Sequence, residues 1–185
     1  MMNLVIPTRQ HLPDYLDALQ RGWSPDNLRP EAAQAQIAAA KADPEAFLAR
    51  FDDRSAEGPP IVLPDGSTTP RLPGFQRWIW QDGFCGTIGL RWQPGTEDLP
   101  PTCLGHIGYA VVPWRRDRGF ATAALAGMLP GARSIGLRHV DLTTAPENAA
   151  SIRVIEKCGG VLVERFDKPA ALGGGPSLRF RIELS

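Results

Sequence analysis

One stretch of sequence constrains the possible folds of this chain most. It is an apolar, β-branched run that stops at a proline and passes through a basic loop into an alanine-rich segment. These residues are GHIGYAVVPWRRDRGFAT, positions 105–122. The pattern predicts a strand over His106–Val112 that leads directly into a helix from Ala121. The first N–H groups of a helix have no intrahelical acceptor and lie at the positive end of its dipole. The junction therefore predicts a site for a phosphorylated ligand, where Gly119 allows the backbone to approach closely.

The rest of the sequence predicts helices first, then antiparallel strands, then alternating helices and strands. The predicted helices are Arg9–Arg21, capped by Thr8, and Pro30–Ala42, Pro44–Phe51, Ala121–Ser134 and Asn148–Cys158. The predicted strands are Leu4–Ile6, Ile61–Leu63, Arg71–Phe75, Gln76–Trp80, Phe84–Leu90, His106–Val112, His139–Thr143, Val161–Phe166 and Ser177–Glu183. Loops are expected at Gly22–Pro30, 52–60, 81–83 and 92–102, and Pro130 should kink or end its helix early. This order predicts one α+β domain, residues 1–185, with a curved mixed sheet, mostly antiparallel, that carries helices on its faces.

Composition limits the classes of partner. The 185 residues have a formal net charge of zero, so no overall charge attracts nucleic acid or an anionic membrane. No apolar run is long enough to span a bilayer, and the N-terminus lacks the pattern of a signal peptide. Cys85, Cys103 and Cys158 are far apart without a CxxC spacing, which predicts reduced thiols and no zinc site. We therefore expect a cytoplasmic protein, and the excess of Arg over Lys suggests a bacterial source.

A second motif follows about thirty residues after the junction. The segment NAASIRVIEKCG, residues 148–159, begins with Asn148 and places Ser151 three residues later. Together with RDRGFA at 116–121, it resembles the signature of the GNAT acyltransferase superfamily, in which a Q/R-x-x-G-x-G/A loop follows a strand. GHIGY and IEKCGG resemble a bacterial branch of predicted acetyltransferases. The resemblance covers residues 84–166 well and the first sixty poorly. It implies the acyl-CoA N-acyltransferase fold, with the sheet splayed at its central strands and helices on both faces.

The resemblance also implies that acetyl-CoA binds as the acyl donor. Its pyrophosphate would contact the backbone N–H groups of the loop and the first helical turn, namely Arg116, Asp117, Arg118, Gly119, Phe120, Ala121 and Thr122. Its pantetheine would pair with the backbone of Val111 and Val112, and Asn148 and Ser151 would hydrogen-bond to the pantetheine or a phosphate. Taken singly, each residue has an ordinary alternative: a solvated arginine, a turn glycine or a helix cap at Asn148. The joint pattern favours coenzyme A.

The resemblance implies direct attack of an amine on the thioester in a ternary complex, with a backbone N–H near Val111 or Val112 as the oxyanion donor. His106 stands where many members carry a glutamate on this strand, which makes it a candidate base. A structural histidine is the alternative, and Glu97 and Asp98 are weaker candidates. Ile155 occupies the position where many members carry a tyrosine acid. Ser151, a water, or no acid at all remain as alternatives.

The expected partner is an amine-bearing acceptor: a small molecule, a peptide or a protein. It would approach past the N-terminal helices and the 92–104 loop. The candidate residues for its pocket are Trp78, Trp80 and Trp92, with Asp14, Asp17 and Asp26 to attract an ammonium group. Analogy with the family adds a possible homodimer.

Two other functions are compatible with parts of the sequence. The first is a GNAT-fold module that binds an acyl-CoA without efficient catalysis, since the usual tyrosine and a clear glutamate base are both missing. The second is a phosphate-binding α/β protein of another kind. The absence of both GxxxxGK[ST] and GxGxxG from the sequence disfavours the latter.

Overall fold

A computed structural model describes residues 1–26 and 29–184. The helices are α1 (Leu12–Gln20), α2 (Ala32–Ala42), α3 (Pro44–Ala49), α4 (Phe120–Ser134) and α5 (Ala149–Lys157). The strands are β1 (Asn3–Val5), β2 (Asp52–Asp53), β3 (Ile61–Val62), β4 (Thr68–Thr69), β5 (Gly74–Trp80), β6 (Phe84–Arg91), β7 (Ile107–Val111), β8 (His139–Thr144), β9 (Val161–Asp167) and β10 (Pro176–Glu183). The predicted α+β class and the order of elements are confirmed. Part of the predicted loop Gly22–Pro30, residues 27 and 28, lies outside the described residues.

The strands form two larger antiparallel sheets and one small hairpin. The first sheet has the order β1-β5-β6-β7, with β2 also paired to β5, and the second has the order β8-β10-β9. Strands β7 and β8 are neighbours, yet they share no ladder; the His106 N–H donates to the Asp141 carbonyl at 2.7 Å, just before β7 begins. The predicted splay therefore lies between β7 and β8, where the sheet opens into a gap.

Helices cover both faces of the first sheet because its side chains alternate. Phe75 and Ile79 of β5 pack in a core with α4 and α5. Trp78, between them in sequence, points the other way into a second core with α1, α2 and α3. There its ring stacks on Tyr15 at a centroid distance of 4.3 Å. Among the described residues, no helix is both long and apolar enough to cross a membrane.

Two predicted boundaries are wrong. Helix α4 continues through Pro130 to Ser134 because Met128 and Ala132, on either side of the exposed proline, are held in the core. Strand β5 begins at Gly74 rather than at residue 71, because Pro70 and Pro73 have no N–H for a ladder.

Thr8 does not cap a helix. Helix α1 begins at Leu12, and the Thr8 hydroxyl instead hydrogen-bonds to Nδ1 of His11 at 2.9 Å. The short strand β2 was also not predicted, since it lies in a segment that the sequence marks as a polar loop.

Candidate functional site

A cleft of about 470 Å³ opens where β7 and β8 diverge. Its size lies in the range of small-molecule sites, roughly 300 to 1,000 Å³. The walls come from the end of β7, the loop before α4, the first turn of α4 and one face of α5 along its whole length. The predicted donor-site residues that line it are Val111, Arg116, Asp117, Gly119, Phe120, Ala121, Thr122, Asn148 and Ser151. The fold thus brings the two sequence motifs together at one cleft, while Arg118 is exposed beside it without lining it.

The N-terminus of α4 presents free hydrogen-bond donors to this cleft. Gly119 precedes the helix in the left-handed region, with φ 77°, and the first helical hydrogen bond runs from the Ala123 N–H to its carbonyl at 3.0 Å. Within the described part of the chain, the N–H groups of the three residues between them, Phe120, Ala121 and Thr122, donate to no acceptor. Gly119 has no side chain to cap them. An anion in the cleft would meet these donors and the positive end of a 15-residue helix.

The charged side chains around the cleft are mostly cationic. Asp117 is the only acidic residue of the lining, against four basic ones: Arg115, Arg116, Arg153 and Lys157. Among residues 1–26 and 29–184, none of the four basic side chains is in an ion pair. The spacing of four between Arg153 and Lys157 places both on one face of α5, a signal the sequence analysis missed. The cleft therefore suits a ligand with several negative charges.

The edge of β7 determines which backbone groups face the gap. The Val112 N–H donates to the Cys85 carbonyl at 3.0 Å, and Ala110 is the register partner of Thr87 on β6. Because hydrogen-bonded residues alternate along an antiparallel ladder, Tyr109 and Val111 turn their N–H groups away from β6, toward the gap. The prediction for Val112 is thus corrected: its N–H is used within the sheet and its side chain is fully buried. Val111 is the residue of the pair with a donor directed into the gap.

The structure also corrects the prediction of His106 as a base. Its side chain is fully buried and does not line the cleft. Nδ1 accepts the Asp141 backbone N–H at 3.0 Å, so the lone pair that a base needs is already engaged. Nε2 has no hydrogen-bond partner among the described residues. Burial lowers the pKa of His106 to about 4. The burial and the bond to Asp141 favour the alternative, a structural histidine.

The buried imidazole makes the protein less stable in mild acid. The unfolded chain binds a proton near pH 6.5 and the folded chain only near pH 4. The contribution of His106 is therefore complete above pH 6.5 and falls by about 3 kcal/mol as the pH drops to 4. His106→Asn, whose amide oxygen also accepts the Asp141 N–H, should remove this part of the pH dependence of the free energy of unfolding in urea. His11→Asn should keep the wild-type dependence; parallel curves for His106→Asn and wild type would contradict the assignment.

Helix α5 places its polar groups at the mouth of the gap. The Asn148 side-chain oxygen accepts the Ser151 N–H at 3.1 Å, so Asn148 does cap the helix, and both residues line the cleft. Ile155 lies in the core. The Tyr109 hydroxyl, from β7, donates to the Ser151 carbonyl at 3.4 Å, and burial raises the pKa of this phenol. A protonated tyrosine thus stands beside the cleft although the usual position holds Ile155. The sequence signal for Tyr109 was the alternation of side chains along β7, which places every second residue on the same face.

The predicted acceptor residues lie elsewhere. Trp78, Trp80 and Trp92 pack against the two cores, and Asp14, Asp17 and Asp26 line neither this cleft nor a second one. Glu97 hydrogen-bonds to Arg138 at 2.7 Å, which lowers the pKa of its carboxyl to about 2, and with Asp98 it lines a different surface depression. The second cleft, of about 400 Å³, shares the lining residues Tyr109 and Ala110 with the first.

Residues 3–161 match the model of a family described as an acetyltransferase (GNAT) domain. No curated protein matches the sequence. Among solved structures, the microcin C7 self-immunity acetyltransferase in complex with acetyl-CoA and AMP superimposes with a TM-score of 0.60 at 12% identity, over 98% of this chain and 92% of that chain. The ribosomal L7/L12 α-N-protein acetyltransferase in complex with coenzyme A superimposes with a TM-score of 0.62 at 11% identity, over 99% of this chain and 94% of that chain. For yncA from Salmonella typhimurium with its cofactor acetyl-CoA, the TM-score is 0.57 at 13% identity, and the match covers 100% of this chain and 94% of that chain. At these identities the likeness shows the fold.

Proposed function

Because this chain belongs to the acetyltransferase (GNAT) family, we propose that it transfers the acetyl group of acetyl-CoA to a primary amine by direct attack within a ternary complex. Family membership makes it an N-acetyltransferase with acetyl-CoA as its acyl donor. One observation carries the more detailed proposal. Two clefts of ligand size meet at Tyr109 and Ala110, next to the strand edge of Val111. A donor in one cleft and an acceptor in the other would meet there.

The first cleft is the donor site in this proposal. The free N–H groups of Phe120, Ala121 and Thr122 bind the pyrophosphate, and the basic side chains of the loop and α5 neutralise its charge. The outward-facing backbone of β7 hydrogen-bonds to the pantetheine. Asn148 and Ser151 lie at the first turn of α5, where they contact the same arm.

At the meeting point the acceptor nitrogen attacks the thioester carbonyl, so that a C–N bond forms and the C–S bond breaks. The Val111 N–H donates to the carbonyl oxygen as negative charge develops on it. Before the attack, the ammonium group loses one proton to water. The Tyr109 hydroxyl gives its proton to the leaving thiolate, and the second proton that the nitrogen loses as the amide forms restores the phenol. Burial raises the pKa of Tyr109, which keeps the phenol protonated at neutral pH and suits it to act as an acid rather than a base.

Tyr109→Phe should lower kcat about tenfold and leave the KM for acetyl-CoA within a factor of two. The effect is smaller than the roughly hundredfold typical of general acids because a thiolate leaves readily. Steady-state kinetics with release of coenzyme A thiol measure it. Tyr15→Phe, which changes the only other tyrosine of the chain, is the control and should keep wild-type rates. Equal rates for Tyr109→Phe and wild type would refute the role of the hydroxyl.

The function itself is tested by incubating the purified protein with acetyl-CoA and a panel of primary amines. We expect acetylated amine and free thiol in equal amounts, with no acetylated enzyme on the way. Tight binding of acetyl-CoA without thiol release from any amine would contradict the proposal and favour a binding module.

A further inference from the structure

The second cleft has an unexpected charge for a pocket that receives an amine. It is lined by β5, β6 and β7, the residue after α3, and the segments 69–72 and 102–103. Its charged lining residues are Arg50, Arg71, Arg91 and Asp53. An ammonium group alone would gain nothing from such surroundings, because like charges repel, although the exposure of Arg50 and Arg91 to solvent weakens the repulsion.

The single carboxylate of the cleft, that of Asp53, already has hydrogen-bond donors and a cationic partner within the protein. Asp53 accepts the N–H groups of Glu57 and Gly58, each at 2.9 Å, and its Oδ2 lies 3.6 Å from Nε of Arg71. Burial opposes ionisation of Asp53, but these N–H groups and Arg71 outweigh it and lower its pKa. Asp53 and Arg71 therefore neutralise each other. Arg50 and Arg91 remain, and neither has an ion pair with any residue that the structure describes.

Arg91 is held close to the meeting point of the clefts. Its Nε donates to the Gly105 carbonyl at 2.9 Å, which fixes the guanidinium against the start of β7. Its Nη2 lies 3.4 Å from the position that a Cβ on Gly108 would occupy. Gly108 directly precedes Tyr109, so the guanidinium lies close to the strand residue that lines both clefts. Its other N–H groups can still bind an oxyanion.

We propose that the acceptor is a small primary amine that also carries a carboxylate or a phosphate, which Arg91 binds. This rests on the proposed function. Arg50, exposed at the rim, adds long-range attraction for the same negative charge. The cleft volume of about 400 Å³ is large enough for an amino acid or an aminoalkyl phosphate. Because Arg91 lies close to Tyr109, the anionic group and the amine of the acceptor would be only a few bonds apart.

The test compares amines in matched pairs. Amino acids are paired with their amides, and phosphoethanolamine with ethanolamine, under saturating acetyl-CoA. We expect the anionic member to have a kcat/KM at least tenfold higher, and the carboxylate and phosphate arms identify which anion is preferred. Arg91→Gln should remove this advantage by raising the KM for the anionic amines, so that the kcat/KM ratio of each matched pair approaches one. Arg133→Gln, at an exposed position of α4 outside both clefts, is the control.

Arg91→Glu keeps the test decisive if Arg91→Gln merely weakens the enzyme, because the reversed charge should shift the preference toward diamines. Thermal midpoints of all variants show whether they are folded. Acetylation of amines with no preference for the anionic member would overturn this inference and leave the proposed function standing. So would acetylation confined to protein N-termini. No acetylation of any amine, in contrast, would mean that the proposed function itself fails.

Discussion

Gly119→Asp is expected to weaken acetyl-CoA binding about a hundredfold while the free protein stays folded. The Asp carboxylate would accept the unpaired N–H groups of the first turn of α4, as a helix cap does, and would repel the pyrophosphate. A hundredfold loss corresponds to about 2.8 kcal/mol, within reach of one or two lost hydrogen bonds to a charged group. Asp tolerates the left-handed backbone at this position better than most residues do. Isothermal titration with coenzyme A measures the change.

Two controls separate charge from shape. Gly119→Asn caps the same N–H groups without a negative charge, so we expect a loss of about tenfold, between wild type and Gly119→Asp. Gly136→Asp introduces the same side chain just after the other end of α4, where φ is 92° and no atom lies within 4 Å of a Cβ. It should leave coenzyme A binding unchanged. A dissociation constant for Gly119→Asp within twofold of wild type would refute the anion site.

Val111→Pro is expected to lower kcat by roughly a hundredfold to a thousandfold, the effect of losing an oxyanion donor. Proline removes the one N–H that we assign to the thioester carbonyl. The alternation of the β6–β7 ladder turns this N–H away from β6, so its loss breaks no bond of the sheet. The variant should therefore remain folded, with a thermal midpoint close to that of wild type.

Val111→Ala is the matched control for this experiment. It also loses the valine side chain but keeps the N–H, so it should retain most of the wild-type kcat. If Val111→Ala and Val111→Pro lose activity equally, the side chain is what matters, and the oxyanion role of the backbone is wrong. Circular dichroism and thermal melting of both variants complete the comparison.

The sequence predicted the strand, loop and helix of the junction well because its signals are local. A strand that ends at Pro113, a loop with Gly119 and a following helix all follow from neighbouring residues, and α4 starts within one residue of its predicted position. The cap at Asn148 is equally local. What brings these two motifs to one cleft is the packing of α4 against α5, which only the family resemblance implied.

The errors came from interactions between distant residues. Whether Val111 or Val112 presents a free N–H depends on pairing with Cys85, more than twenty residues away. His106 loses its lone pair to Asp141, thirty-five residues further along the chain. The basic character of the second cleft arises in the same way, since Asp53 pairs with Arg71 while Arg91 has no ion pair within residues 1–26 and 29–184. No short window of sequence contains these relationships.

The single backbone bond between His106 and Asp141 has a mechanical consequence. It links the two sheets at the start of β7, whereas β7 and β8 share no ladder further along. A pantetheine arm hydrogen-bonded to the outward-facing edge of β7 and to α5 would link these two elements where β7 and β8 share no ladder. Amide hydrogens of β7 and β8 should then exchange in concert and slow markedly when coenzyme A is added. Bound coenzyme A would then supply a further connection between β7 and α5, beside the hydrogen bond from Tyr109 to Ser151.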